Sequence, residues 1–141
     1  MEVLGASNSS ELKYATSTNI WMLLFLEGSS LTASGQPSAT GLDAITTLNE
    51  CNYSNYSRQR LTGLSYTYDS TARVGRWKFD PVTYPTLGTS TTPVVGALIY
   101  QGTSSTGKPL HVFDTRPLFP FYGGGDKVIV APTGGAVRVE G

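Results

Sequence analysis

The chain has 141 residues, of which ten are basic and ten acidic, so its formal net charge at neutral pH is zero. This length is that of one domain with a core of its own. Charged residues make up only 14% of the chain, against about 25% in a typical protein. The balance of charge disfavours nucleic acid as a partner. A weakly charged surface is poorly protected against association, which suits a subunit that its neighbours cover.

Nothing in the sequence indicates export or a membrane partner. The start, Met1 to Leu4, lacks the basic and apolar parts of a signal peptide. The longest apolar run, Ile20 to Leu26, has seven residues, whereas a membrane span needs about twenty. We therefore expect a soluble protein that is made in the cytoplasm.

Residues 1–19 are mostly small and polar, with apolar side chains too scattered to form a face. This pattern predicts an N-terminal arm, extended or disordered, ahead of a single β domain over residues 20–141. At about 3.3 Å per residue such an arm could reach roughly 60 Å along a partner. The alternative is a frayed terminus that contacts nothing.

The first predicted strand is the apolar run Ile20 to Leu26, whose length and flanking turn residues favour a strand covered on both faces. A Ser-, Gly-, Thr- and Pro-rich surface loop is expected from Gly28 to Gly41. The segment Leu42 to Leu48 is ambiguous, because its apolar spacing suits one or two helical turns while its threonines favour a strand.

The rest of the chain predicts one strand after another, separated by turn residues. A strand that alternates up to the end of the chain is expected to be tied into a sheet. The triple glycine Gly123 to Gly125 is expected to be a flexible hairpin connection, and Asp126 beside it to bond its own backbone. The predicted strands lie at Leu64 to Tyr68, Arg76 to Asp80, Pro93 to Tyr100 (as a central strand), Leu110 to Phe113, Lys127 to Ala131 and Val137 to Val139.

About eight strands with turn signals every eight to fifteen residues predict an all-β fold. Helices of the length that parallel strands require between them are absent from the pattern. We expect an antiparallel β-sandwich or a small jelly-roll-like barrel.

The residues that catalysis would need are scarce. His111 is the one histidine and Cys51 the one cysteine, which argues against a metal site and a catalytic triad. We therefore expect no enzyme, no catalytic residue, no metal and no cofactor. An acid–base pair formed in space by distant carboxylates remains the alternative. The candidate carboxylates are Asp43, Glu50, Asp69, Asp80, Asp114 and Asp126.

Tyrosines are frequent in or near the predicted strands. One interpretation is a glycan-binding face, because aromatic stacking and neutral polar groups suit carbohydrate. The other, which we favour, is that these rings pack the core and the subunit contacts. The tyrosines in question are Tyr53, Tyr56, Tyr66, Tyr68, Tyr84 and Tyr100.

The segment Leu48 to Gly63 resembles one found in small structural proteins of tailed bacteriophages. In that group an acidic residue precedes a Tyr-X-Arg-X-X-Leu-X-Gly core, which here runs from Tyr56 to Gly63. The similarity covers roughly residues 42–141. It continues through Arg76 to Asp80, Val94 to Tyr100 and Pro109 to Asp114, and then from Gly125 to Val139.

This resemblance implies a non-enzymatic virion protein, and we expect a capsid decoration (cement) protein that braces the head shell in many copies. Its partners would be the major capsid protein and copies of itself, as a trimer. A neck or tail component and a glycan-binding host-attachment module are the alternatives.

The resemblance also suggests which residues make contacts. We expect Glu50 and Arg58 to pair on the surface and hold the loop of Tyr53 and Tyr56 in one shape for a subunit or capsid contact. A surface pair contributes only about 0–1 kcal/mol, so Arg58→Ala would impair incorporation into particles and leave the melting temperature nearly unchanged. The arm would add contacts through Met1, Glu2, Val3 and Leu4.

Overall fold

A computed structural model of the chain describes residues 2–3, 19–31, 41–71, 74–113, 119–130 and 137–140. Within them the chain is mostly β-sheet with antiparallel pairing and almost no helix, which confirms the all-β prediction. One 3-10 turn, Leu42–Ala44, is the helical part of the ambiguous segment. No helix in the described residues is long and apolar enough to cross a membrane.

The described strands form two antiparallel sheets. The strands are β1 (Glu2–Val3), β2 (Ile20–Leu26), β3 (Gln59–Arg60), β4 (Ser65–Asp69), β5 (Val74–Lys78), β6 (Val82–Gly102), β7 (Gly107–Phe113), β8 (Phe121–Ile129) and β9 (Val137–Glu140). One sheet has the order β1-β9-β5-β4, and the other has the order β3-β2-β6-β7 with β8 also paired to β6.

The C-terminal strand β9 pairs with β5 on one side and with β1 on the other, which confirms that this end of the chain is tied into a sheet. Of the predicted N-terminal arm, the structure describes Glu2, Val3 and Asn19. Glu2 lies opposite Glu140 and Val3 opposite Val139. Met1 and Leu4, with the rest of the arm through residue 18, lie outside the described residues, as do residues 32–40 of the predicted loop.

The apolar strand β2 is covered on both faces, as its sequence predicts. Alternate side chains enter two separate clusters: Met22 and Leu24 face the first, and Leu23 and Phe25 face the second. The second cluster is closed by residues from the connection after β2, including Leu31 and Leu42. Each fully buried large aliphatic side chain contributes about 1.5–3 kcal/mol to stability. These two clusters therefore stabilise the centre of the sheet.

The central strand β6 runs beside β2, and one close approach between them requires a glycine. Gly96 lies opposite Phe25 in the register, and a Cβ atom at this position would come within 2.4 Å of the Phe25 ring. The missing side chain therefore leaves the space that the ring fills in the second cluster.

The central strand β6 is longer than predicted. Residues 82–92 lie between two predicted strands and were not assigned to either, yet β6 is continuous for 21 residues, and its first half pairs with β8. The register shifts twice, between Tyr84 and Leu87 and between Thr89 and Val94. These shifts bend the strand, so that both of its halves contribute side chains to the first cluster.

The triple glycine was also misassigned. Gly123, Gly124 and Gly125 lie within β8 rather than in a hairpin connection, and their φ angles are 81°, 89° and 128°. A Cβ atom on Gly123 would come within 2.0 Å of the carbonyl oxygen of Gly88 on β6. The strand therefore needs glycine for its backbone angles and for its closeness to β6.

Candidate functional site

The segment that carries the resemblance forms a loop inserted into an edge of the sheet. Glu50 pairs with Phe25 of β2, and further along the same edge Gln59 pairs with Met22. Three residue steps along β2 thus correspond to nine residue steps along the segment that pairs with it. The edge has six extra residues at this point, and residues 52–57 leave the ladder as a loop.

The Tyr56 hydroxyl fills the gap that this loop leaves in the ladder. The backbone N–H of Cys51 donates to the carbonyl oxygen of Leu24 at 2.8 Å, as in a regular ladder. The N–H of Leu24 donates to the Tyr56 hydroxyl at 3.1 Å, in the place where a regular ladder would offer a backbone carbonyl. A tyrosine side chain thereby satisfies a buried backbone donor at the base of the loop.

The predicted pair of Glu50 and Arg58 is present, and it joins the two ends of the loop. Arg58 donates two hydrogen bonds to the Glu50 carboxylate, from Nε and from one terminal nitrogen, each at 2.8 Å. The Tyr56 hydroxyl donates to the same carboxylate at 2.6 Å. We call these three residues the clasp, because together they close the loop at its base.

This pair is less exposed than the surface pair that was predicted. The Arg58 and Glu50 side chains are only 16% and 25% exposed, so the pair is partly desolvated and the value for a surface ion pair does not apply. The Arg58 guanidinium also lies over the ring of the buried Tyr100, 5.6 Å from its centroid. Planar stacking and two parallel hydrogen bonds are features that arginine provides and lysine does not.

The two central tyrosines of the site form one stack. The rings of Tyr56 and Tyr84 are 5.9 Å apart and nearly parallel. The Tyr84 hydroxyl donates to the carbonyl oxygen of Met22 at 3.1 Å. Burial raises the pKa of both hydroxyls well above the ordinary value, and for Tyr56 the nearby Tyr84 and Glu50 raise it further. Both hydroxyls therefore stay protonated and act as donors.

The tip of the loop is fastened to the first half of β6. The carbonyl oxygen of Ser54 accepts a hydrogen bond from the N–H of Gly88, and the Tyr53 hydroxyl donates to the carbonyl oxygen of Thr92 at 2.6 Å. Asn55 has a φ of 66°, which asparagine tolerates better than most residues, and its side-chain amide donates to the carbonyl oxygen of Thr86. The loop thus ties the edge of β2 to the bent part of β6.

Thr86, at the bend of β6, is held in an unfavourable backbone conformation by two side chains. Its φ of 48° lies in the left-handed region, which β-branched residues rarely adopt. Its N–H donates to Asp126 Oδ1 at 2.8 Å, while its carbonyl oxygen accepts from Asn55. Asp126 therefore bonds the backbone of the neighbouring strand, and the expectation that it bonds its own backbone is wrong.

We expect Asp126→Ala to lower the free energy of unfolding by about 1 kcal/mol, because the N–H of Thr86 loses its acceptor. Asp126→Asn keeps an acceptor oxygen and is expected to lose less. Urea denaturation of the three proteins measures the difference. Equal losses for the alanine and asparagine variants would show that the carboxylate contributes in some other way.

The predicted contact residues of the loop are buried or half-buried rather than exposed. Tyr53 is 5% exposed and packs in the first cluster, and Tyr56 is half-buried. Of the six tyrosines considered for a glycan face, Tyr84 and Tyr100 are also buried, so these four do not form such a face. Tyr66 and Tyr68 lie in β4. The side chains that the loop exposes are instead Asn52, Ser54, Asn55 and Ser57.

The hydrogen-bonding groups of the site are engaged in holding the loop. The carboxylate of the clasp is occupied by three donors, and burial raises the pKa of the neighbouring Cys51 thiol, which disfavours the nucleophilic thiolate. Among the described residues no three His, Cys, Asp or Glu side chains are grouped so that they could hold a metal ion. What the arrangement achieves is a loop of fixed shape with uncharged amides and hydroxyls at its surface.

Comparison of the chain with known protein families, with curated proteins and with solved structures finds no match.

Proposed function

We propose that this chain is a non-enzymatic structural protein of a tailed bacteriophage particle, and that it decorates the head shell in many copies. The clasped loop is the observation that carries the proposal. The segment that resembles phage structural proteins uses Glu50, Tyr56 and Arg58 to fix the shape of its loop, and the residues that the loop exposes are neutral and polar. A rigid neutral surface suits a repeated protein–protein contact, because little side-chain entropy is lost on binding.

We also propose that the two sheets pack face to face as a sandwich. Leu64 immediately precedes β4 and Phe79 immediately follows β5, and both pack in the first cluster together with side chains of β2 and β6. Apolar residues that flank the four-stranded sheet thus share a cluster with residues of the five-stranded sheet, which supports this arrangement. In it, the loop would project from an edge of the five-stranded sheet, where a shell protein could reach it.

The exposed side chains of the loop are expected to make the capsid contact. Asn52 and Ser57 are exposed, so replacing both by glutamate should change the free energy of unfolding by no more than about 0.5 kcal/mol. Two charges at the centre of a neutral contact should nevertheless weaken binding at least about tenfold, because they would be buried without partners. Binding is measured by sedimentation of the purified protein with head shells that lack it.

The control is the same double replacement at Ser65 and Thr67, which are exposed on β4 in the other sheet. This control variant should bind as the parent does. Quantifying the parent chain against the major capsid protein in purified particles tests the location. Hundreds of copies per particle agree with decoration of the head, and a dozen or fewer would overturn it in favour of the neck or tail.

A further inference from the structure

The loop that the clasp closes is too small to be a complete contact by itself. It exposes four side chains, those of Asn52, Ser54, Asn55 and Ser57, whereas a standard protein–protein interface takes about 20–30 residues from each partner. A contact centred on the loop must therefore spread onto neighbouring surface. Two segments are fastened to the loop, namely the bend of β6 near its tip and the turn between β6 and β7 near its base.

The turn between β6 and β7, residues 103–106, is fixed to the clasp by two side chains. Besides its bonds within the clasp, Arg58 donates from its other terminal nitrogen to the carbonyl oxygen of Ser104 at 3.3 Å. The Tyr100 hydroxyl, whose ring lies against the Arg58 guanidinium, donates to the carbonyl oxygen of Thr103 at 2.8 Å. One arginine thus bonds the base of the loop and the turn at the same time, and holds the two in a fixed relation.

The turn is also held by hydrogen bonds of its own. The Thr103 N–H donates to the carbonyl oxygen of Thr106 at 2.7 Å, and the Thr103 hydroxyl accepts from the N–H groups of Ser105 and Thr106. At the end of β6, the N–H of Gly102 donates to the carbonyl oxygen of Asn19. These bonds leave little backbone freedom to be lost on binding, which is the property proposed above for the loop.

The surface of the turn has the same chemistry as that of the loop. All four residues from Thr103 to Thr106 are exposed, and each carries a hydroxyl group. The guanidinium between the turn and the loop is occupied by Glu50 and by the carbonyl oxygen of Ser104. The bend of β6 differs, because the exposed Asp126 lies beside it. The neutral surface of the loop therefore continues onto the turn, and a carboxylate interrupts it in the other direction.

We infer that the turn between β6 and β7 belongs to the same capsid contact as the loop, and that the two together bind a neutral, hydrogen-bonding surface of the shell protein. The inference rests on the proposed function, which supplies the partner. Eight exposed side chains, four on the loop and four on the turn, carry amide or hydroxyl groups and no charge.

This composition determines the chemistry of the partner surface. A charged group of the shell would lose its water without receiving a counter-charge, whereas backbone amides and neutral polar side chains would exchange hydrogen bonds with the amides and hydroxyls. Arg58 acts as a positioning residue, because it presents the turn and the loop in one orientation toward the shell.

The test adds charge of either sign to the turn. Ser105 and Thr106 are replaced together by glutamate in one variant and by lysine in another, while Ser104 stays unchanged because a charge there would act directly on Arg58. Both variants should bind head shells that lack the protein at least about tenfold more weakly than the parent, since a neutral contact discriminates against either sign. Tighter binding of one variant would indicate a charged partner surface and overturn the inference.

Thr103→Val tests the shape of the turn without adding a charge. It keeps a branched side chain and removes the acceptor for the N–H groups of Ser105 and Thr106. Binding should weaken about threefold or more, because a turn that is not held in shape loses more freedom on binding. The control Thr67→Val changes an exposed threonine on β4 and should bind as the parent does.

Three outcomes separate the failure of this inference from that of the proposed function. If the turn variants bind as the parent does while the double replacement at Asn52 and Ser57 binds weakly, the contact excludes the turn and the inference alone fails. The same holds if glutamates at Thr89 and Thr91, which are exposed further along β6, weaken binding and those on the turn do not. A parent chain that does not bind head shells would overturn the proposed function, and this inference with it.

Discussion

Replacing Tyr84 by alanine is expected to lower the free energy of unfolding by about 4 kcal/mol, the largest effect among the substitutions considered. Tyr84 is 1% exposed, its ring stacks on that of Tyr56, and its hydroxyl donates to the carbonyl oxygen of Met22. The alanine variant loses the ring contacts, opens a cavity in the first cluster and removes one donor from that carbonyl. Chemical denaturation followed by tyrosine and tryptophan fluorescence measures the loss.

Two further variants separate the contributions of the ring and the hydroxyl. Tyr84→Phe retains the stack and removes the hydrogen bond, so a loss of about 1–2 kcal/mol is expected. Tyr122→Ala is the matched control, because this tyrosine is 53% exposed on β8, and its effect should stay within about 0.5 kcal/mol. If Tyr84→Ala were no more destabilising than Tyr122→Ala, the stacked pair would not be a part of the core.

Replacing Arg58 by alanine is expected to lower the free energy of unfolding by about 2 kcal/mol. Breaking a buried ion pair costs about 3–5 kcal/mol and breaking an exposed one about 0–1, and this pair lies between the two in exposure. The substitution leaves the Glu50 carboxylate with the Tyr56 hydroxyl as its remaining donor within the clasp. This expectation replaces the unchanged melting temperature that the sequence alone suggested.

Arg60 provides the control for Arg58. It is an exposed arginine two residues further along the same edge, and its replacement by alanine should change stability by no more than about 0.5 kcal/mol. Arg58→Lys should fall between the parent and Arg58→Ala, since an ammonium cannot reproduce the two parallel hydrogen bonds. Equal effects of Arg58→Ala and Arg60→Ala on the denaturation midpoint would contradict the clasp.

The same Arg58 variant also connects the clasp with the proposed function. Without the guanidinium the two ends of the loop are no longer joined by an ion pair, and the residues at its surface lose their fixed arrangement. Binding to head shells should therefore weaken even at temperatures where Arg58→Ala is fully folded. A folded Arg58→Ala protein that binds as tightly as the parent would show that the shape of the loop does not matter for the contact.

Local patterns in the sequence were sufficient to predict the β class and several of its strands. The run Ile20 to Leu26 is apolar at every position, and such a run can be satisfied only if both faces are covered. The stretch Pro93 to Tyr100 predicted a central strand for the same reason, and β6 does lie between β2 and β7. The alternation at Val137 to Val139 predicted a strand near the C-terminal end, and β9 pairs there on both of its sides. In each case the pattern depends on residues that are close together in the chain.

Other features depend on contacts between distant residues, and only the tertiary structure decided them. The first half of β6 is a strand because β8 pairs with it, and the triple glycine lies within β8 because the backbone of Gly88 comes so close. The pairing of Glu50 with Arg58 was predicted from the sequence, but its partial burial follows from Tyr100 and from a six-residue shift in the register of the edge. Neither the alternation of apolar and polar residues along a strand nor the position of turn residues encodes such a shift. Composition and alternation thus determined the class of fold, while the register between distant strands determined the clasped loop and which tyrosines point inward.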